Sequence, residues 1–187
     1  MFSLNLAMKL VGHNEEKELY LDRQTHLDIL IHQDADPNIY VGFCNLGYCI
    51  RAKRNISEGE FIYRFAGRTI SFLETTTRGE CECMSLQYEK DKYIDTEVPG
   101  RFVNHSCEPN AGLFQNFDLK AIVDIPIHHE ITFDYSTSMD EDHYQMECLC
   151  GTPSCRKIVT DFKLLPSSVQ RYYLNKGIVM DFIKNKY

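Results

Sequence analysis

This sequence predicts a mainly β fold with small α content, and three observations predict it. The apolar runs are short and rich in Ile, Val, Phe and Tyr. Gly, Pro, Asn and Asp punctuate them at close intervals, as turns between strands require. Clear helix start and stop signals occur together only near the end, where Pro166 precedes a mixed-polarity run and Gly177 follows it.

With 187 residues, 43% of them hydrophobic, the chain is large enough to close one core. A formal charge of -7 and a pI near 5.5 argue against a phosphate-gripping surface, which needs clustered Lys and Arg. No direct nucleic-acid partner is expected, and the acidity suits a basic peptide. No stretch approaches the roughly 20 apolar residues of a membrane span, and the apolar start is broken by Asn5 and Lys9, so no membrane partner is expected either. The cysteines cluster as C-x-C pairs, at Cys81 and Cys83 and at Cys148 and Cys150. That grouping reads as reduced thiolates holding metal in an intracellular, reducing compartment, not as a secreted disulfide framework.

Taken in order, residues 1–26 carry mixed charge without a clean period and read as an N-terminal extension. Residues 27–31 and 39–43 are β-prone and flank Asp34-Ala35-Asp36-Pro37-Asn38, giving a hairpin or two edge strands. Gly47-Tyr48-Cys49 begins the next run, and the turn Ser57-Glu58-Gly59-Glu60 leads to a strand over 61–65, closed by Gly67. Residues 68–100 hold a short strand around Tyr93-Ile94, and Cys81 and Cys83 read as buried free thiols. Strands are expected over 119–126 and 130–135, joined by a solvated turn at His128-His129. Residues 136–145, acidic at Asp140-Glu141-Asp142, read as a surface loop. The cysteine-rich stretch 148–156 follows, then a helix over 166–176 and a segment 178–183 packing back on the body.

The densest run of specific polar groups is Arg101-Phe102-Val103-Asn104-His105-Ser106-Cys107-Glu108-Pro109-Asn110. It resembles the Asn-His-Ser-Cys signature of SET-domain lysine methyltransferases. Gly47-Tyr48-Cys49 resembles that family's first Gly-x-Gly motif, with Cys49 replacing the second glycine. Glu130-Ile131-Thr132-Phe133-Asp134-Tyr135 resembles its last motif, with His128 where a turn glycine is usual. A histidine tolerates that backbone better than most residues. The resemblance implies a SET fold of several short sheets with a knot-like threaded C-terminal segment, a post-SET zinc site and a C-terminal helix. It divides the chain into the extension 1–26, a SET domain 27–136, a post-SET zinc-binding segment 137–158 and a helical tail 159–187, like that of small stand-alone SET proteins.

The array Cys148-x-Cys150-x4-Cys155 supplies three thiolates, whereas a structural zinc takes four ligands. The family resemblance implies that Cys107 is the fourth. Such a site is closed and structural, since four thiolates leave no position for substrate.

By the same resemblance the cofactor is S-adenosylmethionine (SAM) and the substrate a lysine-containing basic protein such as a histone tail. Tyr135 is then the catalytic tyrosine, acting by positioning, because a phenol of pKa near 10 is a poor base at neutral pH. Asn104 and His105 hold SAM, Arg101 helps place it, and Tyr48 and Cys49 contribute backbone at its other end. Phe133 matches the family's phenylalanine or tyrosine switch and implies two or three methyl transfers. Arg64-Phe65-Ala66-Gly67 stands where the family often has Glu-Tyr-x-Gly, which removes a hydroxyl from the channel. The competing reading is a SET-like, zinc-stabilised binding module without catalysis, motivated by Cys49 and His128. Location follows the source: nuclear in a eukaryote, cytoplasmic or a secreted effector in a bacterium.

Overall fold

The computed structural model describes residues 36–77, 85–142 and 144–187. The expected extension 1–26, the β-prone run 27–31 and the pair Cys81 and Cys83 lie outside the described residues.

Short strands build several small sheets. β1 (Ile39–Cys44) and β2 (Gly47–Ala52) form an antiparallel hairpin in which Val41 faces Ile50 and Ile39 faces Ala52. Alternation places these four side chains on one buried face. The hairpin turn is Asn45-Leu46, with Gly47 at φ 104°, a two-residue connection of the kind that matches strand twist. The predicted pairing of 27–31 with 39–43 through 34–38 involves a run outside the described residues.

β3 (Phe61–Arg64), β9 (Asp118–Ala121) and β8 (Ala111–Leu113) make one three-stranded sheet, in the order β3-β9-β8. A second sheet has the order β4-β6-β5, from β4 (Gly67–Ser71), β6 (Lys92–Thr96) and β5 (Ser85–Glu89). Helix α1 (Phe72–Thr76) follows β4 behind a Ser71–Glu74 capping box. β7 (Asn104–His105) pairs in parallel with β10 (Thr132–Phe133), and β11 (Gln145–Glu147) pairs antiparallel with β12 (Ile158–Thr160).

Two predicted strands are shorter than expected. The run 119–126 stops at Ala121, where the chain turns before an isolated bridge between Ile125 and Ile56. The run 130–135 is a strand only at Thr132–Phe133, because its partner β7 offers just two residues. The turn between them forms as expected: His128 sits at φ 67° and is exposed.

The main core gathers Ile39, Ile50, Ile62, Leu113, Leu119 and Ile131. A satellite core of Ile122, Phe162, Leu165, Tyr173, Ile178 and Ile183 holds the tail against it. Helix α2 (Ser167–Lys176) starts one residue later than predicted, with Pro166 outside it and its carbonyl accepting from Val169 and Gln170. It ends at Gly177, whose φ of 69° is the left-handed cap expected of glycine. The following segment returns to the body: Ile178 packs on Gly112, the Met180 amide donates to the Thr137 carbonyl at 3.0 Å, and α3 (Asp181–Lys184) closes the chain.

Residues 136–145 do not form a plain surface loop. Ser136, Thr137 and Ser138 are almost completely buried: Thr137 Oγ1 donates to the Asp134 carbonyl and Ser138 Oγ to that of Tyr135, while the Ser136 hydroxyl has no hydrogen-bond partner among the described residues.

A Cβ at Gly112 would lie 2.3 Å from Ile178 Cγ2 and 2.8 Å from its Cβ. Gly112→Ala is therefore expected to destabilise the protein by about 1–3 kcal/mol, the range for overpacking a filled core. Urea denaturation followed by circular dichroism measures it, and wild-type stability would contradict this docking of the tail.

Candidate active site

The parallel pairing of β7 with β10 brings together two segments separated by some thirty positions. Asn104 lies beside Thr132 and His105 beside Phe133, and the Ser106 amide extends the ladder to the Phe133 carbonyl at 3.1 Å. Beyond Phe133 the chain turns into a 3-10 helix over Tyr135–Thr137. Tyr135 is thus not a strand residue on the same face as Phe133, as the sequence reading has it. The rings nevertheless pack, 4.9 Å between centroids, and Tyr135 also lies edge-on to His105 at 5.3 Å. Its hydroxyl donates to the Val103 carbonyl at 2.9 Å, and its amide donates to His105 Nδ1 at 3.2 Å.

These rings continue a row. Phe133 meets Phe65 at 5.8 Å, and Phe65 meets Tyr63 at 5.8 Å. Gly100 makes room, since a Cβ there would sit 3.0 Å from both Phe65 and Tyr63. The result is a line of aromatic faces leading to the Tyr135 phenol, with buried Phe65 and Phe133 at its centre.

Behind Tyr135 lies a carboxylate that sequence reasoning did not single out. The Asp134 side chain is fully buried, and Arg156 Nη2 lies 2.7 Å from its Oδ2 and 2.8 Å from its Oδ1. The Tyr173 hydroxyl donates to Oδ2 at 2.8 Å, and the Ser136 amide to Oδ1 at 3.1 Å. Burial and the Asp134 charge beside it push the Tyr173 phenol well above its ordinary range. His105 Nδ1 lies 3.5 Å from Asp134 Oδ1, yet this is no ion pair. Burial pulls the imidazole down to about 4, so it is neutral near pH 7, and Nδ1 is already the acceptor for Tyr135. The ring proton therefore sits on Nε2, which faces Cys107 Sγ at 3.4 Å.

Of the predicted cofactor residues, Tyr48, Cys49 and Asn104 lie on the other side of β7, whereas His105 faces Tyr135 and Cys107. Asn104 Nδ2 donates to the Tyr48 carbonyl at 3.1 Å and to Glu130 Oε1 at 2.9 Å. Cys49 is fully buried, and desolvation together with the nearby Glu130 carboxylate pushes its thiol up to about 12. Arg101 takes a different place: its Nε donates to the Thr96 carbonyl at 2.9 Å and its Nη2 lies 3.8 Å from Asp95. It pins the turn that seats Phe102 against Tyr48, 5.0 Å between rings. Glu130 opens the motif that carries Phe133 but is not among the predicted site residues.

The four predicted metal ligands converge. Sγ atoms of Cys107, Cys148, Cys150 and Cys155 all lie within 4.8 Å of one another. Sulfurs of a tetrahedral zinc with Zn–S near 2.3 Å should stand about 3.8 Å apart. Cys107–Cys148 at 3.7 Å and Cys148–Cys155 at 3.6 Å match that spacing. Burial raises the Cys107 thiol to about 11, so a cation is needed to hold it as thiolate. The donor set therefore fits zinc, and the His105 Nε2 proton points at one of its sulfurs. His128 and His129 join no such cluster among the described residues.

Residues 47–136 match the SET domain family model. An H3 lysine-9 specific histone-lysine N-methyltransferase of Fusarium mangiferae is 29% identical over 157 residues, covering 60% of this chain and 45% of its own length. An H3 lysine-36 specific histone-lysine N-methyltransferase of Debaryomyces hansenii is 33% identical over 137 residues, covering 59% of this chain and 17% of its own. The chain thus spans less than half the length of these relatives. Among solved structures, KRYPTONITE in complex with mCHH DNA, an H3(1-15) peptide and SAH matches at TM-score 0.51 and 25% identity, over 66% of this chain and 29% of that one.

A buried charge that loses its partner costs about 3–5 kcal/mol, while replacing both members of the pair costs far less. Arg156→Met is expected to lose stability in that range, and adding Asp134→Asn should recover part of it. Chemical denaturation of both single variants and the double variant measures the coupling. Additive losses would show that the pair does not organise the site.

Proposed function

We propose, from the premise that this chain carries a SET domain at residues 47–136, that it is a SAM-dependent protein-lysine N-methyltransferase. The observation that carries the reading is the 2.9 Å bond from the Tyr135 hydroxyl to the carbonyl of Val103, the residue before Asn104. It sets the end of an aromatic row against the Asn-His strand, where one group can be handed to another.

SAM, when bound, supplies a sulfonium methyl for in-line transfer to an amine. Everything else falls to the protein. Free lysine has a pKa near 10.4, so only about one in 10³ is neutral at pH 7. Phe65 and Phe133 offer the amine no hydrogen bond and exclude water, which favours the neutral form. With its proton on the Val103 carbonyl, the Tyr135 oxygen keeps lone pairs free to orient an amine N–H. Tyr48, Cys49, Asn104 and His105 are the residues placed to hold the cofactor, and Arg101 supports them through Phe102. The contribution is alignment in a dry channel, not proton abstraction.

Two positions of the channel carry phenylalanine where a tyrosine hydroxyl could hold a crowding water. The 5.8 Å contact between Phe65 and Phe133 puts both in one wall. This supports di- or trimethylation.

Zinc at Cys107, Cys148, Cys150 and Cys155 would fasten the post-SET segment over Tyr135, which packs against this cluster. The favoured substrate is a basic tail of histone type, in keeping with the charge of -7. The two relatives are named for different lysines of H3, so the target lysine is not assigned. Free thiols at Cys44 and Cys49 fit a reducing intracellular compartment.

Tyr135→Phe should lower methyl transfer by roughly 10²-fold or more. Radiolabelled SAM with cell lysate and mixed histones, wild type against variant, measures it. Equal labelling would reject the catalytic assignment, and SAM binding without labelling by the wild type would favour the binding-module reading. Phe133→Tyr should shift the product toward monomethyl-lysine by mass spectrometry, and monomethyl product from the wild type at long times would contradict the apolar-channel reading. Removing zinc with a chelator should abolish transfer and raise hydrogen exchange across residues 146–160. Full activity of a verified metal-free protein would remove zinc from the account.

A further inference from the structure

The hairpin face turned away from the core carries a second group of metal-ligating side chains. In the β1–β2 register, Cys49 faces Gly42 and Cys44 faces Gly47, so both cysteines lie on one face, each opposite a glycine. The Arg51 side chain crosses Gly42, where a Cβ would lie 3.0 Å from its Cδ, and donates to the Phe43 carbonyl, so it borders the two thiols. The segment after His128 runs along the outer edge of β2, with a bridge from Arg51 to Glu130 and the Ile131 amide donating to the Ile50 carbonyl at 2.8 Å. This brings Glu130 to the same face. The Sγ atoms of Cys44 and Cys49 and a carboxylate oxygen of Glu130 all lie within 4.8 Å of one another.

The surroundings resemble a ligand shell. The Leu46 amide donates to Cys44 Sγ at 3.4 Å, and Asn104 Nδ2 lies 3.6 Å from Cys44 Sγ and 2.9 Å from Glu130 Oε1. Such donors orient thiolate and carboxylate ligands. Cys49 closes the inner side, while half-buried Cys44 and Glu130 leave an approach from outside. Diagonal cross-strand residues have Cα atoms roughly 7–8 Å apart, beyond the reach of an unstrained disulfide. A cation between the sulfurs suits this spacing better than a bond.

We propose that Cys44, Cys49 and Glu130 form a second metal site, for a thiophilic divalent cation such as zinc. Two thiolates and a carboxylate fill three tetrahedral positions and leave the fourth for water. Both thiol protons pass to solvent on binding. No ligand is shared with the four-cysteine cluster. Because Cys49 and Asn104 also belong to the proposed cofactor pocket, the ion and SAM exclude each other; this second part rests on the methyltransferase reading.

The test counts zinc in the full chain, by atomic emission, after equilibration with excess zinc buffered by a weak chelator. Wild type should hold about two equivalents, and Cys44→Ser and Cys49→Gly about one each, with circular dichroism unchanged. Alkylation mapped by mass spectrometry gives a readout that needs no variant: zinc should protect Cys44 in the wild type. Saturation at one equivalent with Cys44 freely alkylated, or two equivalents persisting in both variants, would overturn the site. Saturating SAM should expel only the second equivalent. SAM bound with both equivalents retained would overturn the exclusion, whereas no SAM binding at all would count against the methyltransferase reading and leave the metal count standing.

Discussion

The structure depends on one buried negative charge. Asp134 sits in the protein interior, and an unpaired carboxylate there would be prohibitively costly or would protonate. It is paired with Arg156, one residue beyond the last residue of the four-cysteine cluster, and with the Tyr173 hydroxyl from α2. Three segments far apart in sequence therefore meet on two oxygen atoms. Tyr135 follows Asp134 directly, so the residue given the chemistry is positioned from behind by the post-SET segment and the tail. A folded tail is in this sense part of the site.

His105 joins that arrangement to the four-cysteine cluster. As a neutral ring it takes the Tyr135 amide proton on one nitrogen and directs the other at Cys107. A charged ring would repel Arg156 and lose the bond that fixes the Tyr135 backbone. Burial keeps it neutral, and the same burial strengthens each hydrogen bond in the chain from thiol to imidazole to amide. The aromatic row in front of Tyr135 is apolar at Phe65 and Phe133, and the polar network behind it centres on the Asp134 carboxylate. That division lets the phenol sit still while presenting its oxygen.

Much of this was legible in the sequence because local chemistry dictated it. The array Cys148-x-Cys150-x4-Cys155 supplied three of the four cysteines that converge and the family resemblance named Cys107 as the fourth, Gly177 had to end its helix, and His128 could replace a glycine at positive φ. Asn104 and Tyr135 stood out through the motifs around them, and the structure brings their segments together through β7 and β10. What was not legible depends on long-range pairing. Tyr135 leaves the strand because β7 is two residues long, which no local propensity records. Ser136 to Ser138 look like a surface loop by composition and are buried, with the Ser136 amide and the Thr137 and Ser138 hydroxyls bonded to the turn itself. Tyr173 reads as one more aromatic on an amphipathic helix, and Arg156 as one more charge, until Asp134 is found between them. Cys44 and Cys49 meet Glu130 only once the hairpin register is known.

The most direct measurement of the central claim is amide hydrogen exchange on wild type and Asp134→Asn under native conditions. If the buried carboxylate joins the three segments, the variant should lose protection together at residues 135–138, 155–160 and 167–176, while β4, β5 and β6 keep theirs. Unchanged protection in 167–176 would show that the tail docks without Asp134 and would contradict the account.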